Sequence, residues 1–304
     1  MPQRSKFQNY LEYYALKTSM FFMYLFPLSF AQKIGQFIAV FAYYFIPIRK
    51  KHVINMLAVS FPEKSKDEIK NIAKNTYKNF MKTVVEMVFF PVLSDDKITN
   101  MMVYENENVI SDALAKGKGM ILMSAHFGNW ELTALSFSKK HPMSVMVATQ
   151  SNPLVDEMIN GIRTKKGFKA INKDDKMAFR SIIKTLRANE TVAFLADQDA
   201  GKQGVFVPFF GRLASTPKGP ALFAIKTGCP IVTAFGVRQP DQKLKVTLAE
   251  IPLPNTGDEE EDIKIINTIY SKHLEDAVRK NPDHWFWFHR KWKTRPTETT
   301  ITNY

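Results

Sequence analysis

The chain has 304 residues, 45% of them hydrophobic, a single cysteine (Cys229) and a formal net charge of +13. One cysteine excludes an internal disulfide, and a chain of this length buries enough apolar surface to fold without one, as suits a reducing compartment or a surface facing one. The basic excess draws polyanions, but 24 phenylalanines and 14 methionines, with no zinc-finger, basic-zipper or RNA-binding signature, point away from nucleic acid and towards an apolar ligand or an anionic membrane surface.

From the N-terminus, Met20 to Ala31 is apolar except for Ser29. The run starts too far in for a cleaved signal peptide and lacks a small-residue cleavage site. As helix it covers about 18 Å against the roughly 30 Å of a bilayer core. Pro27 interrupts it, and Ile34, Phe37, Ile38, Phe41 and Phe45 then recur at helical spacing up to Pro47. Two readings stand open. A tilted span from Met20 to Ile48 puts Lys33 near mid-membrane at a cost of roughly 2.5–3.5 kcal/mol. Two short helices lying in one leaflet avoid that cost and bring Arg49-Lys50-Lys51-His52 to headgroup level.

Ser65 followed by Glu68 matches a capping box, so the spacing predicts a helix through Ile69, Ile72, Tyr77 and Phe80 to about Phe89, ahead of Pro91. Residues 108–116 read as a short helix. Beyond Gly119, apolar runs alternate with amphipathic segments. Strands are expected at 119–125, 143–149, 191–197, 231–237 and 243–250, and helices at 130–139, 153–165, 176–188, 218–227 and 261–280. That alternation predicts an α/β fold with a mostly parallel central sheet flanked by helices, behind an N-terminal helical membrane-attachment segment. The expected division is 1–50 membrane-associated, 51–105 helical, 106–296 α/β core and 297–304 tail.

In open α/β sheets, ligands gather at the C-terminal ends of the strands. His126, Gln150 and Asp197-Gln198-Asp199 all fall there. His126 ends an apolar run. Gly128 permits a tight turn, Asn129 can cap the next helix, and Glu131 is expected to reach back and fix the imidazole tautomer, the raw material of general-base chemistry. Asp197 and Asp199 do not form a calcium loop, because Pro208 occupies the place of the bidentate glutamate. They read as a polar patch on the site edge, or else as a turn bonding its own backbone. Arg163 reads either as a surface arginine beside Lys165 and Lys166 or as an inward two-pronged phosphate ligand. The aromatic blocks 206–211 and 284–293 read partly as core and partly as an acyl channel or membrane-interface belt. No nucleophile elbow, Walker loop, dinucleotide fingerprint or metal-binding spacing is present.

These residues resemble a known family, the bacterial lipid A biosynthesis (late, Kdo-dependent) acyltransferases within the lysophospholipid acyltransferase-like superfamily. The resemblance spans nearly the whole chain. It rests on Asn55 with Phe61-Pro62-Glu63, His126-Phe127-Gly128-Asn129-Trp130-Glu131, Asn152-Pro153 with Arg163, Asp197-Gln198-Asp199, Val207-Pro208-Phe209-Phe210-Gly211 with Thr216, and Trp285-Phe286-Trp287-Phe288-His289-Arg290. It implies a glycerolipid acyltransferase-like fold and a His-x4-Glu pair, here His126 and Glu131, that activates a hydroxyl for attack on an acyl thioester. It further implies acyl carrier protein as donor, a lipid A precursor or related glycolipid as acceptor, no cofactor, and a place on the cytoplasmic face of the bacterial inner membrane. Arg163 takes an active-site role, holding an acceptor phosphate or developing charge. Backbone N–H groups of Gly128 and Asn129 are expected to meet the oxyanion, and Asp197 and Asp199 to face substrate. Relatives acylating phospholipids, mannosylated phosphoinositides or amino-acid lipids share these motifs. A non-catalytic lipid-binding membrane protein and a thioesterase are the rival readings.

Overall fold

The computed structural model describes residues 5–46 and 48–296; Pro47 and the tail at 297–304 lie outside the described residues. Two helices open the chain, α1 (Lys6–Tyr24) and α2 (Leu28–Phe45). They part just before Pro27, so no continuous helix runs from Met20 to Ile48. None of the described helices is long and apolar enough to cross a membrane. No residue of α1 is buried. In α2, Ala31, Gly35, Ala39 and Tyr43 pack inward, at helical spacing. The opposite side exposes Phe37, Ile38, Phe41, Tyr44 and Phe45.

Helix α3 (Lys50–Ser60) leads to α4 (Lys66–Phe89), which starts at the predicted capping box. Ser65 Oγ accepts the Glu68 N–H at 3.3 Å, and a Glu68 carboxylate oxygen accepts the Ser65 N–H at 2.8 Å. The rest of the chain builds the α/β body. In order come α5 (Asp95–Asn100), β1 (Met102–Glu105), α6 (Asn108–Ala115), β2 (Met120–Ser124), α7 (Trp130–Lys140) and β3 (Met143–Val147). Then follow α8 (Pro153–Lys165), β4 (Lys169–Asn172), α9 (Ala178–Arg187), β5 (Thr191–Leu195), β6 (Val205–Phe209) and β7 (Arg212–Thr216). The body ends with α10 (Gly219–Thr227), β8 (Ile231–Arg238), β9 (Leu244–Ile251) and α11 (Glu259–Lys280).

Seven strands form one sheet in the order β1-β9-β8-β2-β5-β3-β4. Every neighbouring pair is parallel except β8–β9. All five predicted strands are in it. Two more, β1 and β4, are four-residue edge strands, and β1 lies inside the stretch read as helical. The block at 206–211 supplies most of β6 and the turn of the separate β6–β7 hairpin. Strand β2 is buried throughout and sits between β5 and β8.

Alternation along the strands creates two cores. Ile121, Met123, Val192 and Phe194 join α9, α10 and α11 on one face. Met120, Leu122 and Ala193 join α6 and α7 on the other. Helix α4 crosses the edge, giving Ile69, Ala73 and Tyr77 to the first core and Val85 and Phe89 to the second. This two-sided burial accounts for the apolar run of β2, as expected for a parallel strand covered on both faces.

Candidate active site

The chain leaves β2 at Ser124, at the C-terminal edge of the sheet. A short antiparallel bridge ties Phe127 to Trp285. Phe286 donates its N–H to the His126 carbonyl at 2.9 Å, and Gly128 donates its own to the His284 carbonyl at 2.8 Å. Gly128 has φ +58°, and a Cβ there would lie 2.0 Å from the Gly236 carbonyl oxygen. Only glycine fits this turn. Asn129 then caps α7, its side-chain oxygen accepting the Leu132 N–H at 2.9 Å.

The turn presents His126 to Asp197, which follows β5. The His126 Nδ1 lies 2.8 Å from Asp197 Oδ1. The other carboxylate oxygen accepts the Trp285 indole N–H at 3.0 Å. Burial alone pushes the Asp197 carboxyl upward, but the neighbouring His126 charge, with hydrogen bonds from His126 and Trp285, holds it at about 2. An ionised Asp197 can only accept, so Nδ1 carries a proton, and in the neutral form of the ring the lone pair is on Nε2. The His126 side chain is 21% exposed. Trp130 and Phe286 flank the ring, at centroid distances of 5.0 and 6.0 Å, and line a small pocket with Phe80 and Asn79 of α4. The Gln198 amide nitrogen lies 3.4 Å from Nε2.

Glu131 does not orient this imidazole. Its carboxylate is forked onto Arg163, with the Arg163 Nη2 on one oxygen and Nε on the other at 3.3 Å. Arg163 is therefore turned inward from α8, with its fork on a carboxylate of the protein, and Nη1 also donates to Asn160 at 3.1 Å. Two further expectations are corrected and a third is narrowed. The Gly128 N–H is already taken by the His284 carbonyl, so it has no hydrogen left for an oxyanion. The Asn129 side chain is buried and bonded within the protein, so any substrate role of Asn129 falls to its backbone N–H. Asp199 faces the C-terminal segment, accepting from the Thr294 N–H at 3.2 Å and the Thr294 hydroxyl at 2.9 Å. Its own N–H donates to His289 Nε2 at 2.9 Å. Burial pushes the His289 imidazole down, which suits a ring nitrogen that accepts. Asp197 faces His126 and Trp285 and is itself buried, so it supports the site from beneath.

One residue beneath the turn escaped the sequence reading. Glu86 of α4 is fully buried. It accepts hydrogen bonds from Gln32 of α2 and Asn129 of the turn, and pairs with Arg238 at the end of β8. Thr83, one turn earlier, donates to the Gly128 carbonyl at 3.1 Å. Such a charge is tolerable inside because it is paired and fully hydrogen-bonded. Its signal was present as the lone acidic residue in Val84-Val85-Glu86-Met87-Val88. Among the described residues, no three or more His, Cys, Asp or Glu side chains converge as metal ligands.

An imidazole whose Nδ1 is held by a buried carboxylate, open at Nε2 on a strand end, is equipped to take a proton from a hydroxyl. The chain is similar to the lipid A biosynthesis lauroyltransferase of Escherichia coli (strain K12), 26% identical over 272 residues covering 89% of this chain and 87% of that protein. It is 24% identical over 268 residues to the lipid A biosynthesis palmitoleoyltransferase of the same strain, covering 86% and 85%. It also resembles the phosphatidylinositol mannoside acyltransferase of Mycobacterium tuberculosis (strain CDC 1551 / Oshkosh), 26% identical over 189 residues, 60% of this chain and 58% of that protein. Residues 1–294 match the family described as bacterial lipid A biosynthesis acyltransferase, and the chain belongs to that family of acyltransferases.

Proposed function

We propose that this acyltransferase moves a fatty acyl chain from the thioester of acyl carrier protein to a hydroxyl of a lipid A precursor or related glycolipid, at the cytoplasmic face of the bacterial inner membrane. The observation that carries the reading is the His126–Asp197 pair at the end of β2. His126 Nε2 takes the proton as the acceptor oxygen attacks the thioester carbonyl. The new C–O bond forms, the C–S bond breaks, and the imidazolium returns its proton to the departing thiolate. Products are the ester and the free carrier thiol. Asp197 stabilises the imidazolium and keeps Nε2 outward. The Gln198 amide, beside Nε2, offers a side-chain N–H to the developing oxyanion; one such donor is typically worth about 3 kcal/mol. Arg163, steadied by Glu131, offers its positive charge to an acceptor phosphate on the same edge.

Membrane association draws support from the first two helices. They leave Phe7, Leu11, Phe21, Phe37, Phe41 and Phe45 exposed on one contiguous stretch of chain, more aromatic surface than water favours. Amphipathic helices of this kind lie in the plane of a bilayer, and Lys50 and Lys51 follow directly at headgroup height.

The test is mass spectrometry of lipids after incubating the enzyme with acyl carrier thioesters and a total lipid extract. An acylated glycolipid with stoichiometric release of carrier thiol is expected. Free fatty acid as the sole product makes water the acceptor and overturns the reading in favour of a hydrolase. Lipid binding without turnover returns the protein to a non-catalytic role.

A further inference from the structure

Helix α9 lies on the face of the sheet shared with α10 and α11, whereas α1 packs on α8, where Asn152 donates to the Asn9 carbonyl at 3.0 Å. It buries Ile182 and Leu186 and turns a basic stripe outward. Lys176 just before it, then Arg180, Lys184 and Arg187, recur at helical spacing, and all four are exposed. The lysines of neighbouring α10 are neutralised from α11, Lys218 by Glu260 and Lys226 by Glu259. Among the described residues no carboxylate pairs with the four cations of the α9 stripe. The nearest acidic residues along the chain, Asp174 and Asp175, precede the helix, and Asp175 accepts the Met177 N–H at 2.8 Å.

Beside the stripe runs an apolar ledge. Met177 is 48% and Phe179 58% exposed, and the Phe179 ring rests 5.2 Å from that of Phe223 of α10. Phe179, Ile183, Arg180, Lys184 and Arg187 together line a surface concavity. An aromatic anchor ringed by cations is the anatomy of a protein interface, with a desolvated centre and a charged rim. Helix α9 begins just after the C-terminal end of β4, so its first turn stands on the sheet edge that carries His126 and Asp197.

We infer that this face of α9 docks the acyl donor as a protein: an acidic carrier whose helical carboxylates meet Lys176, Arg180, Lys184 and Arg187 and whose apolar side chains cover Phe179. The inference rests on the reading that the donor is a carrier thioester. The apolar helices α1 and α2 give the bilayer its own surface, and the α9 ledge lies across the sheet from the helix on which α1 packs. Charge matching of this kind mainly raises the association rate and weakens with salt.

The experiment uses the full-length enzyme with two donors, an acyl carrier thioester and the corresponding small pantetheine thioester. In the double variant Arg180→Glu/Lys184→Glu, KM for the carrier donor rises about tenfold or more and loses its salt dependence. Turnover of the small thioester and binding to phosphatidylglycerol vesicles stay as in wild type. Phe179→Ala raises the carrier KM with its salt dependence intact. Lys272→Glu/Lys280→Glu on α11 makes the same change in net charge, as a control, and leaves the carrier KM unchanged. A wild-type carrier KM in the α9 double variant overturns the docking surface alone. Loss of vesicle binding with an unchanged carrier KM makes the stripe a lipid contact and also overturns it. A wild-type enzyme that turns over the small thioester but not the carrier thioester overturns the donor reading, and the docking surface with it.

Discussion

Two carboxylate–cation pairs, one at the C-terminal end of β2 and one bridging α7 and α8, are built for different work. Asp197 holds His126 from beneath, buried, with Trp285 fixing its second oxygen. Glu131 grips Arg163 between the first turn of α7 and the last turn of α8. The first pair contains a cation that can give its proton away. The second contains one that cannot, since a guanidinium stays protonated in proteins. One pair can therefore cycle a proton during turnover, and the other can only hold charge and position. Nearness in sequence is thus a poor guide to partnership here. Glu131 is five residues from His126, but the turn at Gly128 and the start of α7 carry it towards α8, while a residue from the adjacent strand fills the place beside the imidazole.

Removing the cycling member gives the largest effect. His126→Ala is expected to lower kcat by about 10²–10⁴ and, by leaving Asp197 without its partner, to lower the melting temperature while the protein still folds, read by lipid mass spectrometry and thermal denaturation. Near-normal turnover in a folded variant breaks the distinction between the pairs. Asp197→Asn is next, with a fall of about 10²–10³ as the imidazole loses its fixed tautomer. The same variant tests the acid limb of stability. The Asp197 carboxyl titrates at about 2 when folded against about 3.9 in an unfolded chain. Its contribution is therefore present above about pH 4 and is lost as pH falls towards 2. The melting-temperature gap between wild type and Asp197→Asn should be widest above pH 4 and close below it.

Gly128→Ala disturbs both pairs at once. A methyl group 2.0 Å from the Gly236 carbonyl forces the turn apart, at a cost of about 1–3 kcal/mol, seen as an earlier denaturant midpoint with an unchanged slope. The smallest effect sharpens the comparison. Glu131→Gln and Arg163→Lys should each cost about tenfold in kcat/KM, and the double variant little more than either, as members of one coupled pair behave. Fully additive losses would show that the two side chains act separately.

Much of the fold was legible because its signals are local. The Ser65–Glu68 box, the two-sided apolar run of β2 and the periodic α7 to α11 each depend on neighbours in the chain. The missed strands are those whose formation is decided elsewhere. β1 and β4 are short edges completed by β9 and β3, and β6 carries Pro208, which argues against a strand until the two-strand hairpin gives it an edge position. The antiparallel setting of β9 follows from its short link to β8, which leaves no room for a crossover. In the site, His126 and Arg163 were legible as residue types at a strand end and on an amphipathic helix. Their partners were not, because Asp197 reaches His126 across 71 residues, a pairing set by sheet order and not by spacing.

The bridge from Trp285 to Phe127, the Gly128–His284 and Phe286–His126 bonds and the Trp285 indole on Asp197 carry a consequence for biogenesis. His126 and Asp197 are both translated long before the segment that locks them leaves the ribosome. A nascent chain with the whole sheet in place still has an unfinished turn at His126 until residues 284–286 have been made.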